Sequence, residues 1–133
     1  MSLVGQTING YEFIEDVAIG GFSEVYKARR LNDNVDVAIK RIDATKVEDG
    51  TFEERFKIEA QVVAQLNNSN ILPVNDNWND EHGLFMVMQW MSNGSLRRRI
   101  DAGGVRDLAT IKRWVAQIGS ALQTTHDAGL IHR

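Results

Sequence analysis

A lysine and a pair of adjacent glycines are the residues of this chain whose spacing best suits chemistry. Gly20 and Gly21 separate two strand-like stretches, and a glycine turn lets backbone N–H groups approach phosphate oxygens closely. Lys40 lies in the next strand-like stretch, two positions after the small Ala38. Residues two apart on a strand share a face, so this face would admit a flat ligand beside a cation. The alternatives are an ordinary glycine-bearing hairpin and a solvated edge lysine.

Glu59 is the acidic residue that the sequence offers as a partner for this lysine. It lies on a helical stripe whose other members are apolar, namely Phe52, Phe56, Val63 and Leu66. A carboxylate on an inward stripe costs free energy unless it meets a cation or a donor. Lys40 is the obvious partner, and the alternative is a carboxylate that reaches solvent at the flank of the helix.

The hydrophobic pattern predicts five strands with one inserted helix, followed by helices alone. The predicted strands are Tyr11–Ala18, Ser23–Arg30, Val35–Ile42, Ile71–Trp78 and Leu84–Met91. Thr51 and Glu54 form a possible capping box at the start of the inserted helix. Asp107 can cap a long final helix that Gly129 ends. The apolar face of that helix consists of Leu108, Ile111, Val115, Ile118 and Leu122.

Composition narrows the classes of protein. Hydrophobic residues make up 43% and charged residues 25% of the 133 residues, which argues against disorder. The net charge of -3 gives no reason to expect nucleic acid or an anionic membrane as a partner. The chain has no cysteine, so no disulfide and no thiolate metal site can form. The apolar run Leu84–Met91 falls short of the roughly 20 residues of a membrane span. We therefore expect a cytoplasmic chain, whose parent could still be anchored through a segment not present here.

Four segments resemble the protein kinase domain family when they are taken in order. They are VAIGGFSEVYKA at 17–28, VAIK at 37–40, LFMVMQWMSNGSL at 84–96 and GLIHR at 129–133. The resemblance is greatest to Ser/Thr-type kinases, bacterial ones included. It implies an α+β fold, with a five-stranded antiparallel N-lobe carrying one helix, a hinge, and the first helices of an incomplete helical C-lobe. The implied divisions are a lead-in at 1–10, the N-lobe at 11–91, the hinge connection at 92–94 and the start of the C-lobe at 95–133.

The same resemblance implies an ATP site. The family's glycine-loop pattern GxGxxGxV falls here on Ala18, Gly20, Ser23 and Val25, so the middle glycine is retained and the outer two are replaced. Lys40 would hold the α- and β-phosphates and pair with Glu59. The loop residues expected at the nucleotide are Val17, Ala18, Ile19, Gly20, Gly21, Phe22, Ser23, Glu24 and Val25.

The adenine and ribose contacts would come from the strand and hinge around Met88. Met88 falls at the gatekeeper position, Gln89 would offer a backbone carbonyl, and Met91 its backbone N–H and carbonyl. Apolar contacts to the base would come from Val17, Val25, Ala38 and Leu96, and a polar contact to the ribose from Ser95. Without the resemblance, the pattern indicates a buried strand followed by a turn.

The resemblance also predicts what these 133 residues do not do. His132 and Arg133 match the first two residues of the HRD motif, so the catalytic Asp and the ligands of Mg²⁺ would follow them. We therefore expect no phosphotransfer by this chain alone, and self-association through the uncovered face of its last helix. Three functions stay open, namely the ATP-binding part of a kinase acting on protein Ser/Thr hydroxyls, a nucleotide-binding pseudokinase or scaffold, and a small-molecule kinase.

Overall fold

The computed structural model describes residues 2–21, 23–43, 50–104 and 107–131, except for the side chains of residues 51–53, 55 and 59. The chain divides into two compact units. The sheet unit comprises Met1–Ala64 and Pro73–Trp90, and the helical unit comprises Gln65–Leu72 and Met91–Arg133.

Within the described residues, the sheet unit contains six antiparallel strands in the order β1-β2-β3-β4-β6-β5. Their bounds are Thr7–Ile8, Tyr11–Ile19, Ser23–Arg30, Val35–Ile42, Val74–Asp80 and Gly83–Gln89 for β1 to β6. The predicted antiparallel sheet is thus confirmed, with one strand more than the sequence predicts. The additional strand is β1, which is held by pairing with Tyr11 and Glu12 and is too short to show a periodicity of its own.

Alternation sorts the side chains of the central strands onto two sides of the sheet. In β3 and β4 every second residue is buried, as expected for strands with one side on a core. The side chains on the buried side form a single apolar cluster of Leu3, Tyr11, Phe13, Tyr26, Ala28, Val37, Ile39, Phe85 and Val87. Leu3 comes from the segment that the sequence predicts to be a lead-in, and it is 2% exposed.

The sheet curls so that β2 meets β5, although three strands lie between them. The Tyr11 and Trp78 rings stack with centroids 5.5 Å apart, and Trp78 stacks in turn on Phe85 at 4.6 Å. The Tyr11 hydroxyl donates to Asp76 Oδ2 at 3.0 Å. Burial, and then this hydrogen bond, raise the pKa of the Tyr11 hydroxyl. The result is a half-barrel closed by aromatic rings.

One helix, α1 (Gly50–Gln65), follows β4. Its Phe56 clusters with Ile42 of β4 and Leu84 of β6, with Met86 packed against them. The helix begins at Gly50, so Thr51 lies inside the first turn rather than before it, and the predicted contact of its side chain lies outside the described residues.

The helical unit contains α2 (Leu96–Asp101) and α3 (Leu108–Asp127). Asp107 caps α3 as predicted, since its carboxylate accepts from the backbone N–H groups of Ala109 and Thr110. Gly129, with φ +81°, follows the C-cap. The amide of Asn68 donates to the hydroxyls of Ser120 and Thr124 at 3.1 and 2.8 Å, and this ties the segment before β5 to α3.

Candidate functional site

The candidate site is the side of the sheet opposite the apolar core. We call it the lysine face and define it by Val25, Ala38, Lys40, Met86 and Met88. Strand register brings these residues together, because Lys40 pairs with both Val25 and Met86 and Ala38 pairs with Met88. Directly opposed residues on neighbouring strands have Cβ atoms about 4.5–5.5 Å apart. All five are half-buried, so a small apolar platform surrounds one ammonium group.

The glycine turn between β2 and β3 lies at one end of this face. The backbone N–H of Gly20 donates to the Ser23 carbonyl at 2.7 Å, and Ala18 pairs with Val25. A Cβ added to Gly20 would lie 3.1 Å from the Ser23 oxygen, whereas one added to Gly21 would meet open space. A side chain at position 20 would thus be tight against the Ser23 carbonyl, and this is the position where the sequence retains the middle glycine of the pattern.

The other loop residues predicted at the nucleotide lie in different environments. Val17 falls at an irregularity in the pairing of β2 with β3 and is half-exposed, and Ile19 is 71% exposed. Glu24 is buried on the core side of the sheet, so its side chain does not reach the lysine face. Phe22 lies outside the described residues.

Helix α1 packs on the lysine face, beside the lysine. Phe56 contacts Ile42, which is two residues from Lys40 on the same strand and therefore on the same side. Glu59 lies about one helical turn after Phe56. The predicted pairing of its carboxylate with Lys40 concerns a side chain outside the described part of the chain.

The predicted hinge residues are divided between the two units. Met88 and Gln89 end β6 in the sheet unit, and Gln89 is exposed. In the helical unit, Met91 is exposed, and the Ser95 hydroxyl accepts from the Arg98 backbone N–H as the N-cap of α2. Leu96 lines an open apolar groove of about 300 Å³ between α2 and α3, together with Ile100, Ile111, Trp114, Val115 and Ile118.

A charged cluster beside the lysine face was not predicted from the sequence. Asp36 lies 3.0 Å from Arg29 Nε and 3.2 Å from Lys27 Nζ, and Lys27 also lies over the Trp90 ring at 5.3 Å. Arg29, and then Lys27, hold the pKa of the Asp36 carboxyl below its usual value by hydrogen bonding. The alternation of side chains in β3 and β4 could have indicated this cluster, because Lys27 pairs with Ala38 and lies on the same side of the sheet.

Neither a metal site nor a membrane helix is found in the part of the chain that the structure describes. No group of three or more His, Cys, Asp or Glu side chains there could hold a metal ion. Among the described helices, none is both long and apolar enough to cross a membrane.

Comparison with known proteins decides the family. The model of the protein kinase domain matches residues 11–133. The chain belongs to the protein kinase family. The lysine face thus lies in the sheet unit of a kinase domain, and the resemblance noted in the sequence is confirmed over the same residues.

Relatives of this kinase chain include bacterial serine/threonine kinases. It is 32% identical over 125 residues to a probable serine/threonine-protein kinase of Clostridium acetobutylicum, covering 94% of this chain and 19% of that protein. It is 33% identical over 117 residues to the serine/threonine-protein kinase PknL of Mycobacterium bovis, covering 88% and 29%. The kinase chain therefore spans less than a third of the length of these relatives.

Solved kinase structures share the fold. Rad53 in complex with AMP-PNP has a TM-score of 0.81 and 26% identity, over 93% of this kinase chain and 32% of that one. The kinase domain of Mycobacterium tuberculosis PknI has a TM-score of 0.79 and 25% identity, over 100% of this chain and 55% of that one.

Proposed function

We propose that this chain is the ATP-binding part of a protein kinase that phosphorylates Ser and Thr hydroxyls of proteins. The observation that carries the proposal is the register that surrounds Lys40 with Val25, Ala38 and Met86, next to the turn that the Gly20 N–H closes on the Ser23 carbonyl. The crystal structure of Rad53 with AMP-PNP supports the choice of nucleotide. The names of the bacterial relatives support the choice of Ser/Thr hydroxyls.

The residues of the lysine face fit an adenine nucleotide by their chemistry. Half-buried Val25, Ala38 and Met88 offer an apolar surface for a flat base, and the small Ala38 leaves room above the sheet. Lys40 supplies a positive charge for phosphate oxygens, and the glycine turn supplies backbone N–H groups. Bound ATP would provide the phosphoryl group for transfer. The protein's part in this proposal is to bind and orient the nucleotide.

The proposed role of Lys40 is tested by measuring the affinity for nucleotide. Lys40→Met should weaken the binding of a fluorescent ATP analogue by about 10- to 100-fold, because a hydrogen bond to a charged group contributes about 1.5–3 kcal/mol. Lys27→Met is the matched control, since Lys27 lies one strand away on the same side but is held by Asp36 and Trp90. Equal losses in the two variants, or no binding by the unaltered chain, would refute the proposal.

The pairing of Lys40 with Glu59 is part of the same proposal. It is supported by the packing of α1 on the lysine face through Phe56. In a kinase that contains these residues and the rest of the domain, Lys40→Ala and Glu59→Ala should each weaken ATP binding. The double variant should then lose less than the sum of the two losses. A coupling energy near zero would exclude the pair.

We further propose that residues 1–133 bind nucleotide without transferring phosphate. The HRD aspartate is not among these residues, and phosphoryl transfer depends on positioned carboxylates and Mg²⁺. Incubation with radiolabelled ATP, Mg²⁺ and a generic protein substrate should give no incorporation above that of a Lys40→Ala control. Incorporation above that control would contradict this part of the proposal.

A nucleotide-binding pseudokinase is the second candidate, and one observation favours it. Ala18 and Ser23 occupy positions where the family's loop has glycine, and Ala18 faces Val25 across the strands. Side chains there restrict the loop over the phosphates. A complete domain that binds ATP with the affinity of this chain but phosphorylates no substrate would support the second candidate over the first.

A further inference from the structure

We propose that Glu24 and Arg41 are positioning residues that hold the glycine turn in register with the lysine strand, through an ion pair buried on the side of the sheet opposite Lys40. The inference rests on the proposed ATP site, which it deepens. Both side chains lie on the side of the sheet opposite the lysine face, so their effect on a nucleotide would pass through the backbone of β3 and β4.

The geometry of the pair is close and enclosed. Arg41 Nη1 donates to Glu24 Oε2 at 2.9 Å, and the two side chains are each 8% exposed. The Tyr26 hydroxyl donates to the same carboxylate oxygen at 2.6 Å. Arg41 Nη2 also lies 3.7 Å from Asp43 Oδ2. Burial, and then donation to Glu24, raise the pKa of the Tyr26 hydroxyl, so Tyr26 remains a donor at neutral pH.

The ion pair can affect the site because of its position in the pairing of β3 with β4. Glu24 and Arg41 are direct cross-strand partners, and the next pair along the ladder is Val25 with Lys40. On the other flank, Ser23 pairs with Ile42, and the Ser23 carbonyl accepts the hydrogen bond that closes the glycine turn. The ion pair therefore lies between the residue that closes the turn and the lysine.

A slip of one residue between β3 and β4 would turn side chains to the wrong side of the sheet. It would bring Glu24 to the lysine face, beside the phosphates that Lys40 is proposed to hold, and would leave Arg41 without this partner. Burying two charges costs desolvation energy, and an apolar pair of similar volume would often give equal stability. A buried ion pair at this point is therefore better explained by register than by stability.

Arg41 and Tyr26 also connect the pair to two other segments. Arg41 Nε donates to the His82 carbonyl at 2.7 Å, in the turn between β5 and β6. The Leu3 backbone N–H lies 3.4 Å from the Tyr26 hydroxyl, and the Leu3 side chain is in the core. The ion pair is thus connected, through Arg41 and Tyr26, to the turn between β5 and β6 and to the segment around Leu3, as expected for a fixed anchor rather than a mobile surface charge.

The test compares loss of the ion pair with loss of stability alone. Glu24→Gln keeps the volume of the side chain and removes its charge. Val87→Ala, in the core on the same side of the sheet, is the control for lost stability. Two quantities are measured in each variant, namely the dissociation constant of a fluorescent ATP analogue and the hydrogen-exchange protection of the amides of residues 19–25 without nucleotide.

The variants are expected to differ in nucleotide affinity and in amide protection. Glu24→Gln should weaken nucleotide binding about tenfold, which corresponds to about 1.4 kcal/mol of binding free energy. It should also reduce the protection of the Gly20 amide. Val87→Ala should lower the melting temperature while nucleotide affinity stays within about twofold of that of the unaltered chain. Arg41→Lys, which keeps the charge but loses the fork that reaches both Glu24 and His82, should change both quantities in the same direction as Glu24→Gln.

The inference is overturned if Glu24→Gln and Arg41→Lys lower the melting temperature but leave nucleotide affinity and amide protection unchanged. It is also overturned if Val87→Ala weakens binding and protection as much as they do. If the unaltered chain binds no nucleotide, the proposed function fails. The protection of residues 19–25 without nucleotide then still decides whether the pair fixes the turn.

Discussion

The sheet unit and the helical unit differ in how deeply their apolar side chains are buried. In the sheet unit, Tyr26, Ile39 and Phe85 are fully buried in a core made by that unit's own residues. In the helical unit, no residue of α2 or α3 is buried, and Val115 is 65% exposed. The sheet therefore forms its own hydrophobic core, whereas the apolar residues of α2 and α3 stay exposed or half-buried.

The largest effect should come from removing a core ring of the sheet unit. Phe85→Ala should lower the free energy of unfolding by about 3–5 kcal/mol, because Phe85 is fully buried and packs against Phe13 and Trp78. The free energy of unfolding of a whole domain is only about 5–15 kcal/mol. Urea denaturation followed by circular dichroism measures the loss. Ile118→Ala in α3 is the matched control and should cost less than about 1 kcal/mol, since Ile118 is already exposed. Equal losses would remove the contrast between the units.

The second effect concerns self-association through α3. Its exposed apolar residues are Leu108, Ile111, Val115, Ile118 and Leu122, and a patch of this kind favours association. Each side chain gains roughly 1.5–3 kcal/mol when it is buried. The 133-residue chain should therefore form oligomers or aggregates, and Val115→Gln combined with Ile118→Gln should shift it toward monomer. Light scattering measures both states, with the pair Val4→Gln and Leu31→Gln as an exposed apolar control from the sheet unit.

A monodisperse monomer of the unaltered chain, with a cooperative melting transition, would show that the face of α3 is covered after all. An equal response to the control pair would place the association surface outside α3.

The smallest effect is the pH dependence of the α3 cap. Donation by the Thr110 hydroxyl, and then by the backbone N–H groups of Ala109 and Thr110, lowers the pKa of the Asp107 carboxyl. A carboxyl whose pKa is lower in the folded state stabilises the fold above its ordinary value of about 3.9, and that stabilisation is lost as the pH falls through the folded value. Asp107→Asn keeps a capping oxygen but does not titrate.

The ellipticity at 222 nm should therefore fall further below about pH 4 in the unaltered chain than in the Asp107→Asn variant. Subtraction of the two curves removes the contribution of the other carboxyl groups. Parallel curves would show that the cap does not respond to pH.

The central strands could be predicted from the sequence because their side chains alternate strictly. The structure gives β3 and β4 the predicted bounds, and Ala38 and Lys40 share a face as the alternation requires. The sequence predicts that β5 begins at Ile71, three residues before its observed start at Val74. Ile71 and Leu72 are apolar, but the strand consists mostly of polar residues and is held in place by the stacking of Trp78 on Tyr11 and Phe85. Such tertiary contacts leave no local pattern.

The position of Glu24 near the candidate site could not be predicted from the sequence either. The family resemblance predicts Glu24 as one of the loop residues at the nucleotide, but its side chain is buried on the opposite side of the sheet. Its burial depends on Arg41, which is 17 positions away and becomes a neighbour only through the pairing of β3 with β4. The position of Leu3 in the core also depends on the folded sheet, since the short segment before β1 shows no periodic pattern of its own.

The contact between Tyr11 and β5 has a consequence for the order in which the chain folds. The hydrogen bond from Tyr11 to Asp76 joins residues 65 positions apart, so the first long strand cannot complete its packing until β5 has left the ribosome. Synthesis at about 5–20 residues per second separates the two by several seconds. Such non-local contacts also slow folding after synthesis, because the entropy of closing a long loop is lost before the contact forms. During that interval the ring of Tyr11 is open to other nascent chains and to chaperones.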